Sequence, residues 1–203
     1  MSRLAPIDRP PTLLGRFMAF LTRRQLGKEI TPARVIYNRL PRMWNVSWAL
    51  VNLELRGYTL PSELRLLIHA RVSMMNGCAF CKDIVLARAV QERIGLEKFR
   101  ALDDWRASPL FSERERAALA FAEEATARRE VSDATFEALR KHFGEREIVE
   151  VVVENAVSNF YNLLNVPLGI EDDGLFALAR ERAARAHRSP PGTLADEGAP
   201  PLR

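Results

Sequence analysis

Apolar residues recur along most of this chain at three- and four-residue spacing, the period of amphipathic helices. Leu14, Phe17 and Leu21, with Met18 beside them, share a stripe that predicts a helix over 13–26, stopped by Gly27-Lys28. Thr31-Pro32 reads as a helix cap followed by proline at the first helical position, opening a short helix over 33–40. Pro41 opens another over 42–56, with Met43, Val46, Leu50 and Leu53 on its apolar face. Trp44 and Trp48 stand one turn apart beside that face and read as core or interface aromatics. After Pro61-Ser62 the residues Leu64, Leu67, Ile68, Val72 and Met75 form the clearest stripe of all. Asn76-Gly77 breaks it, and a new helix is predicted from about Cys78 to Glu92.

The second half continues the pattern. Leu96 to Trp105 predicts a short helix. Ser112 and Glu115 have the spacing of a capping box and open a long helix through Ala117, Leu119, Phe121 and Ala125. Ser132-Asp133 caps the next, with Phe136, Leu139 and Phe143 on one side. The longest helix is predicted from Glu145 to Leu164, with Ile148, Val151, Val152, Asn155, Asn159 and Leu163 sharing a side. A last amphipathic helix covers 174–187. Val151-Val152-Val153 is β-prone in isolation, but its flanks keep the helical period. The predicted fold is therefore all-α, a multi-helical bundle, and no solenoid repeat is visible. Residues 1–40 read as an N-terminal helical arm, 41–187 as one helical domain, and 188–203, with Pro190, Pro191, Pro200 and Pro201, as a disordered tail.

Composition narrows the function classes. The 203 residues suffice for one substantial core, and the net charge of +4 comes from 30 basic and 26 acidic residues. Nucleic-acid binding calls for basic residues gathered on one face. Here Arg114, Arg116, Arg128 and Arg129 are interspersed with glutamates, which argues against that role. No run approaches the ~18 apolar residues of a membrane span. The apolar run 13–21 carries Arg16 and has no small-residue cleavage site, which argues against a signal peptide. A cytoplasmic location is expected, where a close cysteine pair is not expected to serve as a permanent structural disulfide.

The candidate chemistry lies in that pair. Cys78 and Cys81 are the only cysteines, spaced C-x-x-C. At i and i+3 on a helix they share a face, within reach of a disulfide after modest adjustment. A cysteine at a helix N-terminus feels the positive end of the dipole, which favours Cys78 as thiolate. A zinc site would need about four ligands, and His69, His142 and His187 stand far apart with no paired spacing. Two inert buried cysteines is the plain alternative.

The residues around the pair carry a resemblance. Arg71-Val-Ser-x-x-Asn-Gly-Cys-Ala-Phe-Cys-x-Asp83 resembles the signature of the carboxymuconolactone decarboxylase / alkylhydroperoxidase D-like family. Later stretches are similar to its larger, peroxidase-related members: Leu110 to Glu115, Val131 to Phe136, Glu147-Ile148, Asn159 to Asn165 and Leu168 to Ile170. Together they span roughly 40–172. The resemblance implies an alkylhydroperoxidase D-like helical fold with extra N- and C-terminal helices, assembly into homo-oligomers, and reduction of hydroperoxides by a dithiol that an external thiol reductant restores. It assigns attack on the peroxide to Cys81 and resolution to Cys78, and it implies no metal, haem or flavin.

The chain also departs from that pattern. Peroxidatic members carry a glutamate twelve residues before the first cysteine, a histidine four after the second, and in some cases a histidine just before the second. Those positions hold Leu66, Val85 and Phe80. Without a base, a thiol of pKa ~8.5 is only a few per cent thiolate near neutral pH. Glu63 and His69, one helical turn either side of Leu66, are the candidate substitutes for proton transfer. Their plainer readings are a solvated carboxylate at a helix start and a packed histidine. Asp83 is expected to face away from the thiols and be exposed, Arg71 to pair with helix carboxylates rather than bind an anion, and Asn155, Asn159, Asn162 and Asn165 to be satisfied buried amides, with lining of the thiol pocket as their sharper alternative. Lactone decarboxylation is disfavoured, because its acid–base groups are missing while both thiols are present. The rivals to a peroxidase are a disulfide oxidoreductase and a non-catalytic helical oligomer with structural or redox-sensing cysteines.

Overall fold

A computed structural model describes residues 2–188; the expected disordered tail lies outside the described residues from 189 onward. No strand occurs among the described residues. The helices are α1 (Leu13–Leu26), α2 (Met43–Arg56), α3 (Ser62–Met75), α4 (Ala79–Gln91), α5 (Glu97–Arg100), α6 (Glu113–Arg128), α7 (Asp133–Arg140), α8 (Glu145–Asn165) and α9 (Leu175–Arg188). The all-α expectation holds, and most helix ends fall at the predicted caps. The Thr12 hydroxyl accepts the Gly15 N–H at 3.1 Å. Gly27 closes α1 with φ 93°, a conformation that favours glycine. Ser112 and Glu115 form the capping box of α6.

Two expected helices are shorter. The segment 33–40 is a single π-helical turn, Ala33–Tyr37. The segment 96–105 splits into α5 and a 3₁₀ turn over Leu102–Asp104. The break lies at Ala101, whose N–H is shared between the carbonyls of Glu97 and Lys98, so the chain tightens to three-residue bonding.

α3 is the central helix because both of its sides are apolar. On one side Leu64, Ile68 and Val72 pack with Phe121 of α6, Leu139 of α7 and Val151 of α8. On the other, Leu66 and Leu67 pack with Val85 and Ala89 of α4, Leu102, Trp105 and Leu119. A buried side chain of this size contributes about 1.5–3 kcal/mol, so these two clusters set where α3 sits. α4 then packs against α9, with Phe80, Ala87, Leu175 and Ala179 between them.

Asp83 corrects an expectation. It is buried, and its carboxylate accepts the backbone N–H groups of Asp173 (3.0 Å), Leu175 (2.8 Å) and Phe176 (2.9 Å). Gly174, just before α9, has no side chain to cap that helix, and Asp83 takes the place of the missing cap.

α1 and α2 turn the other way round from their apolar stripes. α1 buries Gly15, Ala19 and Thr22, while Leu13, Phe17 and Phe20 are exposed. α2 buries Trp44, Ser47 and Glu54 and exposes Val46, Trp48, Val51 and Leu55. Polar partners fix the facing of α2. Ser47 Oγ is bonded to Tyr37 Oη at 2.8 Å, and the Arg88 guanidinium donates to Glu54 at 2.7 Å.

Candidate active site

The cysteine pair is placed by the turn between α3 and α4. Asn76 Nδ2 donates to the side-chain oxygens of Asn159 and Asn162, both at 2.9 Å. Asn159 in turn donates to Thr126 Oγ1 and to the Asn155 carbonyl, and Asn162 donates to Ser73 Oγ. This amide ladder from α8 holds the end of α3, and Gly77 turns the chain with φ +67°. Cys78 follows in extended backbone as the cap of α4, its sulfur accepting the Cys81 N–H at 3.3 Å. Cys78 and Cys81 are joined as a disulfide with their Cα atoms 5.2 Å apart.

Both cysteines are buried, but only Cys81 of the two lines a cavity of about 430 Å³. Its apolar wall comes from Met18 and Leu21 of α1, Trp44 and Val51 of α2, and Phe80 and Ile84 of α4. Glu54, His69, Arg88 and Glu92 also line the cavity and give it a polar stretch. Asn165, near the C-terminus of α8, donates from Nδ2 to the Cys81 sulfur at 3.4 Å. Trp44 Nε1, His69 Nδ1 and Asn165 Oδ1, all in lining residues, are buried without a hydrogen-bond partner among the described residues. Burial pushes the hydroxyls of Tyr37 and Tyr161 above the ordinary tyrosine range, against the opposing bond with Ser47, so both stay neutral. Among the described residues no group of three or more His, Cys, Asp and Glu side chains is arranged to hold a metal ion. No helix there is long and apolar enough to cross a membrane.

The carboxymuconolactone decarboxylase family matches residues 41–124. The Escherichia coli K12 protein YnjA, itself uncharacterised, is 32% identical over 182 residues, which cover 89% of this chain and 99% of that protein. The chain belongs to the carboxymuconolactone decarboxylase family. Among solved structures it is similar to an Agrobacterium tumefaciens protein of unknown function, suggested to be the antioxidant defence protein AhpD. That match has TM-score 0.63 and 30% identity, over 68% of this chain and 97% of the other. The debrominase Bmp8 shares the fold, with TM-score 0.73 at 20% identity over 88% of this chain and 96% of that one.

At the three positions where the resemblance implies a proton relay, the chain has apolar side chains. Leu66, Phe80 and Val85 are all buried in the core clusters. Of the two candidate substitutes, His69 opens on the Cys81 cavity. Glu63 is not brought there: it is 3.2 Å from Lys98, which also holds Glu115. Its place in the first turn of α3 turns it toward α5 and α6. Arg71 is engaged by Glu123 at 2.6 Å and lies 3.7 Å from Asp103, as a helix-pairing arginine should. Trp44 is buried edge-on to Tyr37, with ring centres 4.6 Å apart, and forms part of the cavity wall.

Sequence reasoning missed three features. Asn165 on the sulfur was grouped with its sister amides by helical spacing, and spacing does not tell which amide reaches Cys81. The roof from α1 joins residues some sixty positions apart in the chain. Glu154, buried beside His69, did leave a signal: it lies on the same α8 face as Val151, Asn155 and Ser158, where a charged residue is out of place.

Proposed function

We propose that this protein is a thiol-dependent peroxidase that reduces an organic hydroperoxide through a Cys78/Cys81 dithiol–disulfide cycle. The observation that carries the reading is the asymmetry of the pair: Cys81 lines the cavity, and Cys78 sits behind it at the helix start, within bonding distance. The apolar wall suits the organic part of a hydroperoxide. The polar lining suits its O–O group.

In the reduced protein the Cys81 sulfur attacks one peroxide oxygen and its thiol proton passes to a base, with His69 in that role. The O–O bond breaks, the proton returns to the leaving oxygen to give the alcohol, and Cys81 becomes a sulfenic acid. Cys78 then attacks the Cys81 sulfur, forming the disulfide and releasing water with its own thiol hydrogen. One hydroperoxide and two thiols yield one alcohol, one water and one disulfide. An external dithiol reduces the disulfide and closes the cycle. The helix dipole favours Cys78 as the more acidic thiol, but the cavity supports Cys81 as the attacking one, because substrate must reach the sulfur that reacts.

The test is hydroperoxide-dependent consumption of dithiothreitol, followed with cumene hydroperoxide. Turnover is expected in the wild type and abolished in Cys81→Ser. In Cys78→Ser a single equivalent of peroxide is reduced, and a dimedone adduct forms on Cys81. An adduct confined to Cys78 in the Cys81→Ser protein reverses the roles. Turnover with protein disulfides and none with hydroperoxide selects the oxidoreductase. Oxidation without turnover selects the non-catalytic oligomer. His69→Ala is expected to slow turnover about a hundredfold, while Glu63→Ala leaves it unchanged.

A further inference from the structure

We propose that Glu154 is a positioning residue for this chemistry, holding His69 toward the Cys81 cavity and supplying the negative charge that a cationic His69 requires. The inference rests on the peroxidase reading only in the use made of the proton. Glu154 is 2% exposed and His69 6%, and His69 Nδ1 lies 3.6 Å from Glu154 Oε1. At that separation no hydrogen bond is formed, and the two pair by charge when His69 carries a proton. Both are incompletely satisfied: His69 Nδ1 and Glu154 Oε2 are buried without hydrogen-bond partners among the described residues.

Glu154 is unusual among the buried acids of this protein. Asp83 is closed by three backbone N–H groups. Glu150 is closed by Thr59, Leu60 and Arg146. Glu54 accepts from Arg88. No lysine or arginine among the described residues lies within ion-pair distance of Glu154, and His69 is its charge partner. Ser158, itself fully buried, bonds the Glu154 carbonyl at 2.8 Å one turn along the same helix. The same helix carries Asn165, three turns on, to the Cys81 sulfur. One helix thus reaches both the sulfur and the imidazole, and both residues line the same cavity.

When Cys81 gives up its proton, directly or through water, His69 becomes an imidazolium whose charge Glu154 balances. The proton then leaves His69 for the alkoxide, and the pair returns to its starting state. The other titratable groups of the surrounding elements are otherwise engaged. Glu54 and Glu92 pair with Arg88, Arg65 donates to the Glu54 carbonyl, and Glu150 pairs with Arg146. Burial pushes the hydroxyls of Tyr58 and Tyr161 up, so neither titrates in the working range.

The test reads Cys81 without peroxide. In reduced Cys78→Ser protein the rate of Cys81 alkylation by iodoacetamide is measured from pH 5 to 9, alone and combined with Glu154→Gln, His69→Asn, or both. Each single change is expected to slow alkylation near pH 7 by at least about tenfold and to alter the shape of the pH profile. The double change is expected to be no slower than either single one, since two residues acting as a unit do not add. Glu154→Asp keeps the charge and is expected to stay within about threefold of the parent, which covers the case in which Glu154→Gln does not fold. An unchanged rate in Glu154→Gln, additive losses, or Glu154→Asp as slow as His69→Asn each overturns the assignment. A wild type that is alkylated in this way yet consumes no hydroperoxide sinks the peroxidase reading and leaves the Glu154–His69 coupling standing.

Discussion

A single carboxylate, that of Asp83, ties the cysteine-bearing helix to the C-terminal part of the fold. It accepts three backbone N–H groups at the start of α9, where the helix dipole also favours negative charge. The neighbouring Asp173 extends the tie, its carboxylate accepting the Thr31 N–H at 2.6 Å and bonding the Thr31 hydroxyl at 2.7 Å. α4, α9 and the N-terminal arm are thereby joined through two acids. Removing an acceptor strands buried donors, at about 1–3 kcal/mol for such a group. Asp83→Ala is expected to lower the unfolding free energy by about 3 kcal/mol, and Asp83→Asn, which keeps one acceptor oxygen, by about half that. Urea denaturation followed by circular dichroism measures both, and equal losses in the two variants would refute the capping account. The sequence could not show this role. Asp83 sits two residues past Cys81 with nothing local to mark it, and its partners are some ninety positions away.

At the scale of elements, most helix ends and the buried face of α3 were legible, and the facings of α1 and α2 were not. Ends are set locally: Ser112 and Ser132 cap the helices that follow, and Gly27 and Asn76-Gly77 end those before them. Facing depends on what covers a helix, and period reports only which residues share a side. α1 and α2 show the difference, since Phe17, Phe20, Val46 and Leu55 lie outward while Ala19, Thr22, Ser47 and Glu54 are buried. Likewise the turn holding Cys78 and Cys81 was readable from Asn76-Gly77, but the cavity assembles from α1, α2, α3, α4 and α8 and no stretch of sequence contains it. Exposed Leu13, Phe17 and Phe20 on α1 form the face we propose a second copy of the chain covers. Phe17→Glu combined with Phe20→Glu is expected to reduce the assembly to a smaller species in sedimentation equilibrium, with the helical circular dichroism spectrum retained. A wild-type protein that sediments as a monomer at micromolar concentration rules the assembly out.

Across the whole molecule, buried carboxylates join elements that are distant in sequence, and this sets how the fold responds to acid. Glu150 on α8 receives the Thr59 and Leu60 N–H groups at the entry to α3, together with Arg146. Glu123 on α6 receives Arg71 of α3, Trp105 Nε1 and Arg106. In each case burial alone pushes the carboxyl up, and the hydrogen bonds and neighbouring cations outweigh it and hold it below the ordinary carboxylate range. A carboxyl depressed in the folded state binds its proton more weakly there than in the unfolded chain. Its contribution is therefore complete above the unfolded value of about 4.3 and is lost as pH falls through the lower, folded value. The urea midpoint is expected to be nearly level from about pH 7 to 5 and to drop below about pH 4.3. Glu150→Gln and Glu123→Gln remove the ionisation while keeping much of the shape. Each is expected to be less stable than wild type at pH 7 and to lose less stability between pH 5 and pH 3, so the curves converge in acid. Parallel curves over that interval would mean that these two carboxylates do not set the acid limit of the fold.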